Sequence, residues 1–224
     1  MTVGAFFDEL YESESRYWWR GDNRHATEAN EYTTSLLTQL TLRHLSERAT
    51  ARAARPRALD LGAGEGADSI RLAKLGFDVD AVEISEVGAK KISAFAADAG
   101  VHVNVEIADI RGYVPTDAFD VVICNGVLHY VADKAPVVAM MQAATKAGGL
   151  NVVSLWSTHS AVPLCHEQVP IYCDEEDGVV TRAYSAWDLR LLYFERNKPE
   201  TSHSGMPDHS HSHIKIIGQK PTPS

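Results

Sequence analysis

"LDLGAGEG", residues 59–66, decides the architecture. It closes a short apolar run, "RALDL", and places glycines at alternate positions: Gly62, Gly64 and Gly66. "GADSIRLAKLG" follows, with Ala67, Ile70 and Ala73 at three-residue steps and Gly76 just past the last turn. Strand, glycine turn, helix is the order that opens a βαβ unit. Glycine tolerates dihedral angles that other residues avoid and lets a ligand come close to the backbone. The helix start aims its unpaired N–H groups at whatever lies on the loop.

The same alternation continues downstream. "FDVDAVE" alternates apolar and acidic residues and predicts a strand. "SEVGAKKISAFAADAG" predicts a helix opened by Ser85 and closed by Gly100. "VHVNVEIAD" and "FDVVICNGV" predict two more strands, the second buried on both faces. Residues 134–147 predict a helix and "GGLNVVSLW" a strand. Further on, "SAWDLRLLYF", residues 185–194, predicts a helix. A polar loop, "RNKPETSHSGMPD", then leads to a last strand, "HSHIKIIGQK". Strands alternating with helices over about a hundred residues give an α/β fold around a mostly parallel sheet. Upstream, the spacing of Leu36, Leu37, Leu40 and Leu45 predicts a helix over 27–49, and "ATARAARPR" a basic linker ended by Pro56. The chain therefore divides into an N-terminal aromatic and helical lid segment, 1–56, and a ligand-binding domain, 57–224.

Composition narrows the partners. The 224 residues are 45% hydrophobic and 23% charged, with a formal net charge of -9. Such a surface repels nucleic acid and anionic membranes, so a small-molecule partner is expected. The acidic start lacks the basic-then-apolar order of a signal peptide. The three cysteines, Cys124, Cys165 and Cys173, form no CxxC pair and are expected to pack as small apolar residues in a reduced, cytoplasmic protein.

The ligand follows from glycine spacing and from acids at strand ends. A dinucleotide fingerprint needs GxGxxG, and a P-loop needs GxxxxGK[ST]; neither occurs here. Asp60, just ahead of the loop, would repel a pyrophosphate and suits an ammonium group. Glu83 ends the next strand, where a carboxylate accepts both hydroxyls of a ribose. Asp109 ends the strand after that, within reach of an exocyclic adenine amine. The pattern asks for an adenosine that carries a cationic amino-acid arm and no phosphate: S-adenosylmethionine.

"ALDLGAGEG", "DAVEIS", "IADI" and "FDVVICNGVLHYV" together resemble the successive motifs of class I S-adenosylmethionine-dependent methyltransferases, over residues 57 to about 156. The resemblance implies a Rossmann-like, seven-stranded, mainly parallel sheet with helices on both faces. It implies that the loop Gly62, Ala63, Gly64 and Gly66 with Asp60 holds the methionine moiety. Glu83 would then hold the ribose, with Ile84 against the adenine, Asp109 and Ile110 at the adenine edge and Asn125 facing the cofactor. Ala63 stands where the family often has Cys or Gly. "GGLNVVSLWSTHSAVP", "SAWDLRLLY" and the loop into "HIKIIGQK" resemble the tellurite-resistance (TehB-like) branch. The expected activity is methyl transfer to a small molecule through an oxygen, nitrogen, sulfur or chalcogen nucleophile. A nicotinamide-dependent oxidoreductase and a non-catalytic S-adenosylmethionine-binding protein are the alternatives.

On the substrate side the candidates are histidines and aromatics. His129 is the first choice for a general base and His159 the second. Tyr17, Trp18, Trp19, Tyr130 and His166 are expected to line or cover the mouth of the site, formed by residues 10–25, 126–130 and 157–175. His203, His209, His211 and His213 end the inventory. On a strand the last three would share one face. With no cysteine or acid to complete a ligand set, the segment reads as a solvated hairpin and no metal is expected.

Overall fold

The structure is a computed structural model that describes residues 1–13, 55–162, 168–200 and 209–222. The predicted helix over 27–49, Cys165, His203 and the candidates Tyr17, Trp18, Trp19 and His166 lie outside the described residues.

Helix α1 (Val3–Glu12) precedes strand β1 (Arg57–Leu61). Helix α2 (Ala67–Lys74), strand β2 (Asp78–Glu83), helix α3 (Glu86–Asp98) and strand β3 (Asn104–Ile107) follow. Strand β4 (Phe119–Asn125), a 3-10 turn (Leu128–Tyr130), helix α4 (Ala135–Ala144) and strand β5 (Thr145–Trp156) continue the alternation. Helix α5 (Val179–Ala183), strand β6 (Asp188–Glu200) and strand β7 (His209–Gln219) complete it. Local chemistry sets several of these boundaries. Ser85 Oγ accepts from Gly88 N at 2.9 Å and opens α3. Gly76 and Gly100, at φ 91° and 68°, end α2 and α3 in the left-handed region.

The sheet has seven strands in the order β3-β2-β1-β4-β5-β7-β6. All neighbours are parallel except at β7, which runs antiparallel to both β5 and β6. Strand side chains alternate between two cores. Leu59, Leu61, Val122, Cys124, Val153 and Leu155 face α4 and α5. Ala58, Val79, Val121, Ile123 and Val152 face α2 and α3. Strand order reverses between β1 and β4, so the crevice for a ligand opens beyond the carboxyl ends of these two strands.

Two expectations fail in the C-terminal third. Residues 185–194 form no helix; 185–187 make a turn and 188–194 belong to β6, with the short helix α5 just upstream. Register shifts between Leu189 and Leu191 and between Glu195 and Lys198 break the period-two pattern that marks a strand. Leu191 packs on one core and Phe194 on the other, while Leu189, Leu192 and Tyr193 stay exposed on this edge strand. "RNKPE" continues β6 rather than looping. From His209 on, the histidine stretch pairs antiparallel with β6 as a hairpin arm, but it is not solvated: His211 is 4% exposed. The helix predicted over 134–147 stops at Ala144, and β5 begins at Thr145.

Candidate active site

The loop after β1 turns on three left-handed glycines, with φ 70° at Gly62, 60° at Gly64 and 85° at Gly66. Gly62 and Ala63 donate their N–H groups to Val82 O at 2.8 and 3.1 Å, which ties the loop to the end of β2. A Cβ at Gly62 would lie 2.5 Å from Val127 Cγ2, so glycine is required by space as well as by φ.

Two carboxylates are buried beside this loop, and each is 3% exposed. Asp60 accepts from Ser69 Oγ at 2.6 Å; burial, followed by the neighbouring Asp68 charge, pushes its carboxyl up to about 7. Glu83 accepts from Gly64 N at 2.7 Å and from Ser85 N at 2.9 Å. Burial pushes it up to about 7 as well. Asn125, at the end of β4, donates to Asp68 Oδ2 at 3.2 Å and accepts from Ser154 Oγ, so it braces α2 against β5. Asp109 lies in a bidentate pair with Arg111, whose guanidinium holds its carboxyl below the usual range. Ile84 is half-buried, and Ile110 packs into the core on the α4 side. The structure thus gathers Asp60, the glycine loop, Glu83 and Asn125 around one crevice, while the Asp109 carboxylate is committed to Arg111.

Helix α1 lies across this crevice. Asp8 Oδ1 accepts from Ser85 Oγ at 2.6 Å and from Val87 N at 3.2 Å. Gly4 rests on Ile84, and Lys91 Nζ reaches both Tyr11 O at 2.6 Å and Glu65 Oε1 at 2.7 Å. At the other side Phe7 meets Tyr130 edge to face at 5.2 Å. The helix therefore spans from the end of β2 to the turn after β4. Asp8, Phe7 and Lys91 were not singled out as site residues; Phe7, Asp8 and Tyr11 share a helical face, which was the available signal.

Beyond β4 and β5 the site is aromatic. His129 is 2% exposed and stacks on Trp156 at 4.3 Å with an interplanar angle of 3°. Trp156 also stacks with His211 of β7 at 3.9 Å, and Tyr130 tilts against His129 at 4.3 Å. The His129 carbonyl accepts from Tyr172 N at 2.7 Å, which closes the segment after β5 over this stack. His159 is exposed, and its backbone N–H donates to Ser157 Oγ at 3.1 Å. Trp156 is the wall residue that the motifs did not mark.

Residues 54–197 match the family model described as "Methyltransferase domain". The chain belongs to the methyltransferase domain family. Its curated relatives include Hemagglutinin 1 of Eikenella corrodens, 28% identical over 139 residues, 61% of this chain and 45% of that protein. They also include a ubiquinone biosynthesis O-methyltransferase of Caulobacter sp. (strain K31), 34% identical over 100 residues, 44% of this chain and 40% of that protein. The chain thus spans about half the length of the curated relatives it matches. Among solved structures, TehB from Haemophilus influenzae superposes with a TM-score of 0.64 at 17% identity, covering 79% of this chain and 60% of that one. Magnesium protoporphyrin IX methyltransferase of Synechocystis PCC 6803, solved with bound SAH, gives 0.67 at 13% identity, covering 97% of each chain. These likenesses show that the methyltransferase family's fold is shared across the seven-stranded sheet.

Proposed function

We propose that this chain transfers the methyl group of S-adenosylmethionine to a small-molecule acceptor. One observation carries the reading: Asp60 and Glu83, buried at the carboxyl ends of adjacent strands, are both held toward neutrality. A buried carboxylate needs donors or a positive charge. An ammonium group at Asp60 and a ribose diol at Glu83 would supply them, and a pyrophosphate would not. The residues therefore fit S-adenosylmethionine and disfavour a nicotinamide dinucleotide. The neighbour solved with SAH and the family membership support the same donor.

The bound donor supplies an activated methyl on a sulfonium. The chain orients it and excludes water. Asp60 and the glycine loop hold the amino-acid arm, Glu83 the ribose, and Ile84 and Ile110 flank the adenine beside Asp109. Asn125, fixed between Asp68 and Ser154, faces the reacting end. Helix α1, with Tyr130, covers the crevice. His129, fixed by its stack on Trp156, takes the acceptor's proton where the nucleophile arrives protonated. His159, on the surface, is the lesser candidate for that role. The O-methyltransferase named among the relatives supports an oxygen nucleophile. The free thiols of Cys124 and Cys173 support a reducing, cytoplasmic setting. Among the described residues no helix is long and apolar enough to cross a membrane.

The test has two arms. Calorimetry with S-adenosylhomocysteine and with NADH should show binding of the first only. Labelled donor with a panel of phenolic, amine and thiol metabolites should then give a labelled product. Binding without any transfer would leave a non-catalytic S-adenosylmethionine-binding protein.

A further inference from the structure

Helix α1 packs on α3, and the two meet beside the glycine loop. Tyr11 lies in the last turn of α1, where a carbonyl has no partner within its own helix. That turn carries no basic residue. The cation that favours a helix carboxyl end comes from α3 instead. Lys91 Nζ donates to Tyr11 O at 2.6 Å and lies 5.8 Å from the Tyr11 ring centroid. The same ammonium donates to Glu65 Oε1 at 2.7 Å. Glu65 stands between Gly64 and Gly66 in the turn of the loop, and its side chain is fully buried. Gly88 lies about one turn before Lys91 on the same face of α3. A Cβ there would lie 2.9 Å from Gly64 O, 3.0 Å from Tyr11 Cε2 and 3.1 Å from Glu83 Cγ. Loop, helix α1 and the ribose acid therefore converge on a point that glycine leaves open, with Lys91 beside it.

We infer that Lys91 is a positioning residue that couples donor binding to closure of α1. The inference rests on the donor reading above, in which the glycine loop holds the amino-acid arm. A loop fixed by the donor fixes Glu65, Glu65 fixes the ammonium, and the ammonium holds the carboxyl end of α1. The tie at Asp8 is different in kind. It runs to Ser85 and Val87 at the start of α3 and anchors the helix, whereas the Lys91 tie runs to the loop itself. Coupling of this sort is reciprocal: whatever the donor adds to closure, closure adds to donor affinity.

Hydrogen exchange of residues 3–12 is followed by mass spectrometry with and without S-adenosylhomocysteine, beside calorimetry of the same ligand. In the parent, saturating ligand should slow exchange of this helix at least tenfold. Removing the ammonium alone would take this counter-charge from a buried carboxylate, so the uncoupled variant is Glu65→Gln/Lys91→Met. In it the slowing should fall below twofold and the Kd should rise at least fivefold. Lys91→Arg, which keeps a cation with several donors, should retain the slowing. Lys90→Met, at the neighbouring exposed position, should match the parent. A purely structural Lys91 would speed exchange equally with and without ligand in the double variant; an unchanged ratio there overturns the coupling. So does a parent that binds the ligand with no slowing in residues 3–12. A parent that binds no S-adenosylhomocysteine refutes the donor reading and the coupling with it. Glu65→Gln alone keeps the shape of the side chain and should cut the slowing at least threefold. An unchanged ratio in that variant overturns the coupling even if the double variant fails to fold.

Discussion

Replacing Asp60 by asparagine should stabilise the ligand-free protein and weaken donor binding at the same time. Asp60 has an ordinary carboxylate pKa of 3.8 when unfolded and one of about 7 when folded, raised mainly by burial. A raised acid costs nothing where both states are protonated, below the unfolded value. The cost grows as pH climbs through the window from 3.8 to about 7 and is full above it. At about 1.4 kcal/mol per unit, the full cost is about 4 kcal/mol above pH 7, and under about 1 kcal/mol near pH 4. Asparagine keeps an oxygen for the Ser69 hydroxyl and carries no charge, so the variant escapes this cost. Urea unfolding of Asp60→Asn should therefore show a gain of a few kcal/mol at pH 8 that fades toward pH 4. In the same variant the ammonium arm of the donor loses its counter-charge. A lost charge-assisted bond of about 1.5–3 kcal/mol should raise the Kd for S-adenosylhomocysteine by about 10–150-fold. If the variant follows the parent's pH–stability curve and binds the product as tightly, Asp60 is neither strained nor part of the cofactor site, and the reasoning fails.

Other perturbations probe the remaining parts of the site. Glu83→Ala should weaken S-adenosylhomocysteine by a similar factor in calorimetry while circular dichroism shows an intact fold. Gly62→Ala should destabilise by about 2 kcal/mol or more in thermal unfolding, because φ is 70° and Val127 occupies the Cβ position; Val127→Ala should restore only the steric part. Asp8→Ala removes the α1 contact to Ser85 and Val87; hydrogen exchange in residues 3–12 should rise and turnover should fall, with a thermal shift of only a few degrees. Unchanged exchange would show that α1 is fixed by Tyr11 and Phe7 alone. His129→Phe preserves the stack on Trp156 and should cut kcat at least tenfold for a protonated nucleophile, erasing the acidic limb of the pH–rate profile. A retained limb makes His129 a wall, not a base.

From β1 to β5 the fold could be read in the sequence because most elements there carry their own punctuation. Gly76 and Gly100 end helices, Ser85 opens one, and β4 is an uninterrupted apolar run that has to be buried on both faces. The acids that select the ligand were legible for the same reason, since each lies within two residues of a strand's carboxyl end. Their common fate was not. Asp60 and Glu83 are forced toward neutrality, whereas Asp109 is charged and paired to Arg111. That difference depends on how deeply three neighbouring strands end, which no spacing rule records. The C-terminal third misled for a specific reason. The register shift between Leu189 and Leu191 interrupts period two inside this stretch, so its crowded apolar residues read as a helix. Once β6 is a strand, β7 must lie between it and β5, as the register of Trp156 opposite His213 shows. That position carries His211 under Trp156 and brings the histidine stretch to the acceptor end of the sheet. Polar composition alone made the stretch look solvated. Its neighbour in space, the Trp156 indole of β5, stacks on His211 and buries it. Imidazole serves equally as a core ring, a base or a ligand, and only the placement of β7 decides which of these roles His209, His211 and His129 can take.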